Sequence, residues 1–450
     1  MRRIVRFIAV LSLFVCLTCA FPGAFGTAGA DVFYAVSNYS TGSAGVVAKD
    51  GGSFSVYKDL VSNFGVDAAG FTFRDAGGAE RAMIREYNYG PNDTVYVWDP
   101  DNFKTPVLNS SGWGSNVHAA ASSGQYLYLA TYESYAAGAT VPGGEDTGEV
   151  VRVDMGDGYK RDRAYQYKRH AENGNTVSPH AEDIHIEGGK IYVLYGMPYN
   201  GVSQYEPSEV VEFDSGLNVL RKVQLKDSSG KAARNAVTMA GYGGKLYVAA
   251  MGGYQGPKSW GDVWEVDIGT MAARQILDGH DIPYTVDGEA VNVGMYGVDF
   301  APDGTAFLLA GSYSGSYAFR ARLFVTTAGR LSAGDAGSVA AEYDSNPGYS
   351  WGVLWDEGDS ALWCMAGRSL EARGKGGEPL RSFTPAELGD NVYSVSLLDG
   401  FSPPGGGDGG NGGSGGGCAA GASGIAAVLA ASLAAYKRRP ALFGGCSWKK

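Results

Sequence analysis

Between residues 31 and 400 one unit recurs: a strand, a glycine-containing turn, a strand rich in Tyr and Leu, a polar loop, a strand ending in Asp, and a further strand. Copies start near 65, 116, 180, 235, 297 and 350, so the spacings are 51, 64, 55, 62 and 53 residues. Four strands at that steady period predict an all-β chain folded as a β-propeller. The composition agrees. Gly (69) and Pro (17) make about a fifth of the 450 residues and punctuate many short segments, while 44% hydrophobic content with 12% aromatics supports a large packed core.

The clearest copies are adjacent. The first runs Asp183-Ile184-His185-Ile186-Glu187, Gly188-Gly189, Lys190-Ile191-Tyr192-Val193-Leu194, Val210-Val211-Glu212-Phe213-Asp214 and Val219–Leu225. The second runs Val237–Ala240, Gly243-Gly244, Lys245-Leu246-Tyr247-Val248, Val263-Trp264-Glu265-Val266-Asp267 and Arg274–Leu277. Both alternate with period two, as half-buried strands do. Looser copies include Val95–Asp99 and Val150–Asp154 as third strands. The two ends of the region supply a seventh blade, with Val392–Leu397 as its inner strand and Val32–Val36 and the strands to Tyr57 as the rest, which removes exposed sheet edges. A count of six or eight blades is the alternative. Paired β-sandwiches would not repeat one four-strand unit at a steady period.

At the N-terminus, Arg2, Arg3 and Arg6 precede an uncharged stretch from Phe7 to Phe21 and then Ala28-Gly29-Ala30, the small-x-small pattern of a cleaved secretory leader. Residues 1–30 are expected to leave, with Asp31 opening the mature chain. At the other end come Pro403-Pro404, a glycine-rich linker closing at Gly417-Cys418 (401–418), an uncharged stretch Ala419–Tyr436, and Lys437-Arg438-Arg439 opening a basic tail (437–450). A helix over 419–436 would rise about 27 Å, enough to cross a bilayer, with the basic cluster on the cytoplasmic side. This tail resembles bacterial C-terminal sorting signals of the CTERM type, above all the Synerg-CTERM variety. The resemblance covers roughly the last fifty residues and implies envelope anchoring with processing or modification near Cys418. Here the chain continues past Arg439 through Cys446 to Lys450, unlike the usual ending.

Of five cysteines, only Cys364 lies in the body, so no internal disulfide forms there; within Ala361-Leu362-Trp363-Cys364-Met365 it reads as a buried small hydrophobe. Residues 31–400 carry 28 basic and 46 acidic residues, a net of −18, which argues against nucleic acid as a partner.

In an up-and-down four-stranded blade, inner-strand starts and second loops share one face, and first turns lie on the other. The second loops are long and aromatic, carrying Tyr132 and Tyr135, Tyr195, Tyr199 and Tyr205, Tyr254 and Trp260, and Tyr313 and Tyr317. Loop length concentrated on one face of a repeat protein marks a binding face, and Tyr and Trp suit it; the plainer reading is that these residues only cover the blades. Inner-strand starts add Asp67, Asn116, His118, His180, Glu182, Asp183, Asn235 and Asp299 to that rim. The acids and amides among them, Asp67, Asn116, Glu182, Asn235 and Asp299, loosely resemble the calcium ligands of propeller lactonases and related hydrolases, which implies Ca2+ as an alternative cofactor. The plainer reading is a set of strand ends facing channel water. No nucleophile elbow, phosphate loop or Cys-x-x-Cys pair is present. The expectation is an exported, envelope-anchored propeller that binds a ligand or surface partner without chemistry and without a cofactor. A calcium-dependent hydrolase or lactonase is the alternative, and a structural surface protein a third.

Overall fold

The computed structural model describes residues 30–37, 41–50, 52–65, 68–87, 93–133, 148–167, 177, 179–199, 204–252, 261–313, 319–345 and 350–403. The leader, most of the linker, Cys418, the expected helix over 419–436 and the basic tail lie outside them. Among the described residues no helix is long and apolar enough to cross a membrane.

Seven four-stranded antiparallel sheets form a closed propeller. Blade one joins the chain ends, Val392–Leu398 inside, then Asp31–Ser37, Gly42–Asp50 and Ser53–Phe64. Blade two is Ala69–Arg74, Glu80–Glu86, Thr94–Trp98 and Leu108–Ser111. Blade three is Ser115–Ser123, Tyr126–Glu133, Glu149–Asp154 and Lys160–Gln166. Blade four is His180–Glu187, Lys190–Gly196, Glu209–Phe213 and Val219–Gln224. Blade five is Ala236–Tyr242, Lys245–Ala250, Asp262–Asp267 and Ala272–Asp278. Blade six is Gly294–Phe300, Thr305–Tyr313, Phe319–Thr327 and Ser338–Ser345. Blade seven is Ser350–Asp356, Ala361–Gly367, Ser369–Gly374 and Pro379–Phe383.

Closure follows from pairing of the ends, with Asp31 opposite Leu398 and Tyr34 opposite Val395. The core sits between blades. Seven clusters of buried apolar residues each span one pair of neighbours, and Cys364 lies fully buried in the cluster between blades six and seven. A single blade could not bury both faces, so the ring is the smallest unit that hides them all.

Repeated local chemistry explains the repeated sequence. The Gly188-Gly189 and Gly243-Gly244 turns are left-handed at both positions (φ 58° and 73°, 60° and 74°), the backbone a two-residue hairpin needs to match strand twist. In blades three to five the Asp closing the third strand caps the next turn: Asp154 accepts from Gly156 N, Asp214 from Gly216 N and Asp267 from Thr270 N. Tyrosines of the second strands tie blades together on the first-turn face. Tyr128 Oη donates to the Ser215 carbonyl at 3.0 Å and Tyr247 Oη meets Ser332 Oγ at 3.2 Å. Arginines do the same, Arg152 to Ser215, Arg221 to Ile268 and Gly269, and Arg274 to Ser332.

Candidate functional site

Blades one and three to six share a device that alternation alone does not reveal. In each inner strand the register shifts by one residue after the first paired positions, between Val392 and Ser394, Val117 and Ala119, Ala181 and Asp183, Ala236 and Thr238, and Met295 and Gly297. The extra residues, Tyr393, His118, Glu182, Val237 and Tyr296, are therefore equivalent. A β-bulge frees its extra residue from the ladder and re-aims its side chain, here at the start of the inner strand where the channel opens.

At blades three and four this builds a compact cluster. Tyr132, on the second strand of blade three, lies between two imidazoles, with ring centroids 3.4 Å from His118 and 4.2 Å from His180 and near-parallel planes. Its hydroxyl donates to Glu182 Oε2. Glu182 is 7% exposed, and His118 Nδ1 stands 4.0 Å from the same oxygen. Blade four has Gly196 where blade three has Tyr132, and a Cβ there would come within 2.7 Å of Glu182 Oε1, so glycine leaves the space the carboxyl occupies. Beneath His118, Arg85 Nε donates to the Val117 carbonyl and Asp93 Oδ2 accepts from Val117 N, both at 3.2 Å. This buried Arg85–Asp93 pair, 3.7 Å apart, fixes the bulge.

Burial disfavours charge on the imidazoles and the carboxyl of the cluster. Burial, helped by the Arg85 charge and by His180, holds His118 well below the usual imidazole range, and burial lowers His180 to about 4. Burial holds the Glu182 carboxyl well above the carboxylate range, Tyr132 opposing and Asp183 adding to the effect. Neutral imidazoles and a phenol can each donate or accept hydrogen bonds, and a carboxyl pushed toward its protonated form adds a further donor.

Deeper in the channel, Asp183 accepts from Met239 N at 2.8 Å and Thr238 Oγ1 at 3.1 Å, and Asp299 accepts from Phe300 N at 2.8 Å and Trp355 N at 2.7 Å. Each carboxylate bridges to the next inner strand and satisfies backbone groups that a sheet edge leaves open. Burial raises both to about 6.

Several expected site residues fall elsewhere. Tyr195 is 0% exposed, with its ring 4.6 Å from Tyr167 in the core between blades three and four, and Tyr205 is buried too, so neither faces a ligand. Tyr313 packs on Phe319 at 4.7 Å. Tyr199 pairs with Gln204 in a short hairpin of the second loop. Tyr135, Tyr254, Trp260, Tyr317 and Asp67 lie outside the described residues. Asn116 and Asn235 take left-handed backbone (φ 54° and 53°) just before the bulges, a conformation asparagine tolerates. The inner strand of blade six begins at Gly294 rather than near Gly297, which puts Asp299 toward its far end and away from the mouth. Asp299 thus lies apart from the strand starts that carry Asn116, Glu182 and Asn235, and among the described residues no group of three His, Cys, Asp or Glu is disposed to hold a metal ion. Sequence reading named His118, His180 and Glu182 but missed Arg85, Asp93, Val237 and Tyr296.

No family model matches the chain, and no curated protein matches it in sequence. Among solved structures, a hypothetical selenium-binding protein from Sulfolobus tokodaii is similar with a TM-score of 0.50 at 9% identity, over 76% of this chain and 82% of that one. A protein of unknown function from Bacteroides caccae has a TM-score of 0.41 at 10% identity, over 83% and 100%. The β-propeller domain of the Trilobed protease from Pyrococcus furiosus has a TM-score of 0.41 at 10% identity, over 77% and 90%. At such identities the likeness extends to the fold alone.

Proposed function

We propose that this chain is an exported propeller, anchored to the bacterial envelope by its C-terminal tail, that binds a neutral polar ligand at the channel mouth without chemistry. The observation that carries the reading is the row of bulges. Five of the seven blades carry a register shift at the start of the inner strand, and two of the residues it frees, His118 and Glu182, are gathered with Tyr132 and His180 into a cluster whose burial disfavours charge. Stacked rings and neutral donors and acceptors suit hydroxyl- or amide-bearing ligands such as oligosaccharides or peptide backbone. The second strands of blades three, four and five end on that same face, at Glu133, Gly196 and Ala250. The leader and tail support export and anchoring, with Cys418 as the residue for processing or modification.

The test is an array of neutral oligosaccharides and uncharged peptides, probed with the body from Asp31 to Pro403. Binding that survives high salt and is lost on Tyr132→Ala supports the reading. Binding that salt abolishes, or turnover of ester or lactone probes dependent on added Ca2+, would replace it with an ionic surface or with the hydrolase.

A further inference from the structure

On the opposite face, between blades one, two and seven, a cavity of about 380 Å3 is walled by the carboxylates of Glu80, Asp356, Glu357 and Asp399, with Arg74 beside them. Arg74 is committed to Glu80 at 3.5 Å and to Asp399. Nearby Lys49 is committed to Asp359 at 3.2 Å. Negative charge therefore exceeds positive charge around the space. Asp356 is 1% exposed, and its Oδ2 has no hydrogen-bond partner among the described residues. A buried carboxylate oxygen is strongly destabilised unless a donor or cation meets it. Burial raises Asp31 to about 6, although Lys49 N donates to it, and the charges of Asp359, Asp356 and Asp399 push the same way.

Ala30 lines this cavity too, is 9% exposed, and its backbone N–H favours the charged form of Asp356. Ala30 is also the last residue of the small-x-small pattern at which the leader should be cut. We infer that the cavity seats the chain's own α-ammonium, made on Asp31 when the leader is removed. The inference rests on the export reading above. Hydrolysis of the Ala30–Asp31 peptide bond by a signal peptidase leaves water's oxygen on the departing Ala30 carboxylate and both its protons on the Asp31 nitrogen, which becomes –NH3+. That nitrogen is the next backbone nitrogen after the Ala30 N–H. The departure of Ala30 opens room beside Asp356, and an ammonium brings three donors and a charge where the unprocessed chain has neutral amides. Asp31 opens the strand that pairs with Val392–Leu398, so the charge locks the seam of the ring once the leader has gone.

The test uses the full chain expressed with its own leader in a bacterium. The first residue of the exported protein is read by mass spectrometry, and its α-amine is 13C-dimethylated and titrated by NMR. An ordinary α-amine titrates at about 7.7–8.0. The expected result is a chain beginning at Asp31 whose α-amine titrates at about 9 or above, dropping by about one unit in Asp356→Asn and in the more exposed Asp399→Asn, which keeps the test open should the first variant fail to fold. A chain cut at Ala30 with an ordinary α-amine, unmoved by either variant, overturns the inference and leaves export intact. A chain not cut there overturns the inference through the export reading. If millimolar Ca2+ raises the melting temperature of the processed protein and Asp356→Asn abolishes that rise, the cavity belongs to a divalent cation and the inference fails.

Discussion

Asp262→Asn should make the protein more stable at alkaline pH and leave it nearly unchanged at acid pH. Asp262 opens the third strand of blade five, is 4% exposed, and accepts from Gln275 Nε2 at 3.0 Å. Burial, with Asp278 adding to it, raises the carboxyl to about 7. In the unfolded chain the same group ionises near 3.9. The folded form thus keeps a proton that the unfolded form has lost, so stability falls as pH rises through this window. A gap of about three pH units at about 1.4 kcal/mol per unit comes to about 4 kcal/mol, present below pH 4 and gone above pH 7. Asparagine does not titrate. In urea denaturation of the body at pH 4.5, 6 and 8, the variant should gain on the wild type by about 3 kcal/mol across the series, since all other groups cancel in the difference. Parallel stability curves would refute the reasoning, because they would mean that Asp262 ionises alike in both states.

Three further outcomes follow from the geometry. Tyr132→Phe keeps the ring stack but removes the donor to buried Glu182, and should lower stability by about 1–3 kcal/mol in chemical denaturation. Ending the chain after Asn391 strips the inner strand from blade one, exposing fully buried Leu398's partners and two sheet edges; calorimetry should show loss of the cooperative transition, and an unchanged melt would defeat ring closure. Deleting 405–450 should leave the melt unchanged and shift the protein from the membrane fraction to the medium, and retention in the membrane fraction would remove the anchor reading.

The blade framework was readable because each strand boundary carries its own chemistry. Paired glycines mark first turns, Asp154, Asp214 and Asp267 mark third-strand ends through the caps they make, and the joined ends leave no other partner for Val392–Leu398. The mouth was only half legible. His118 and Glu182 stood out as polar residues at strand starts, but a bulge adds one residue without changing composition, so Val237 and Tyr296 carried no signal of their equivalence. Tyr195 was misplaced because its strand runs on to Gly196, beyond the point where the apolar run seemed to end. Arg85 and Asp93 act through the backbone of Val117, contacts made between blades that no local pattern encodes.

The most direct test of the binding reading compares the two faces of the ring. Alanine variants at Tyr132, His118 and His180 on one side, and at Lys190 and Lys245 in the first turns on the other, are measured by calorimetry against the tightest hit from the neutral-ligand array. Loss of a hot-spot aromatic at a real interface weakens binding by on the order of 1–3 kcal/mol, about fivefold to 150-fold. The account predicts such losses for Tyr132 and its two imidazole neighbours with little change for the lysines. Undiminished affinity in all three mouth variants, with binding abolished by Lys190→Ala or Lys245→Ala, would place the ligand on the opposite face and contradict it.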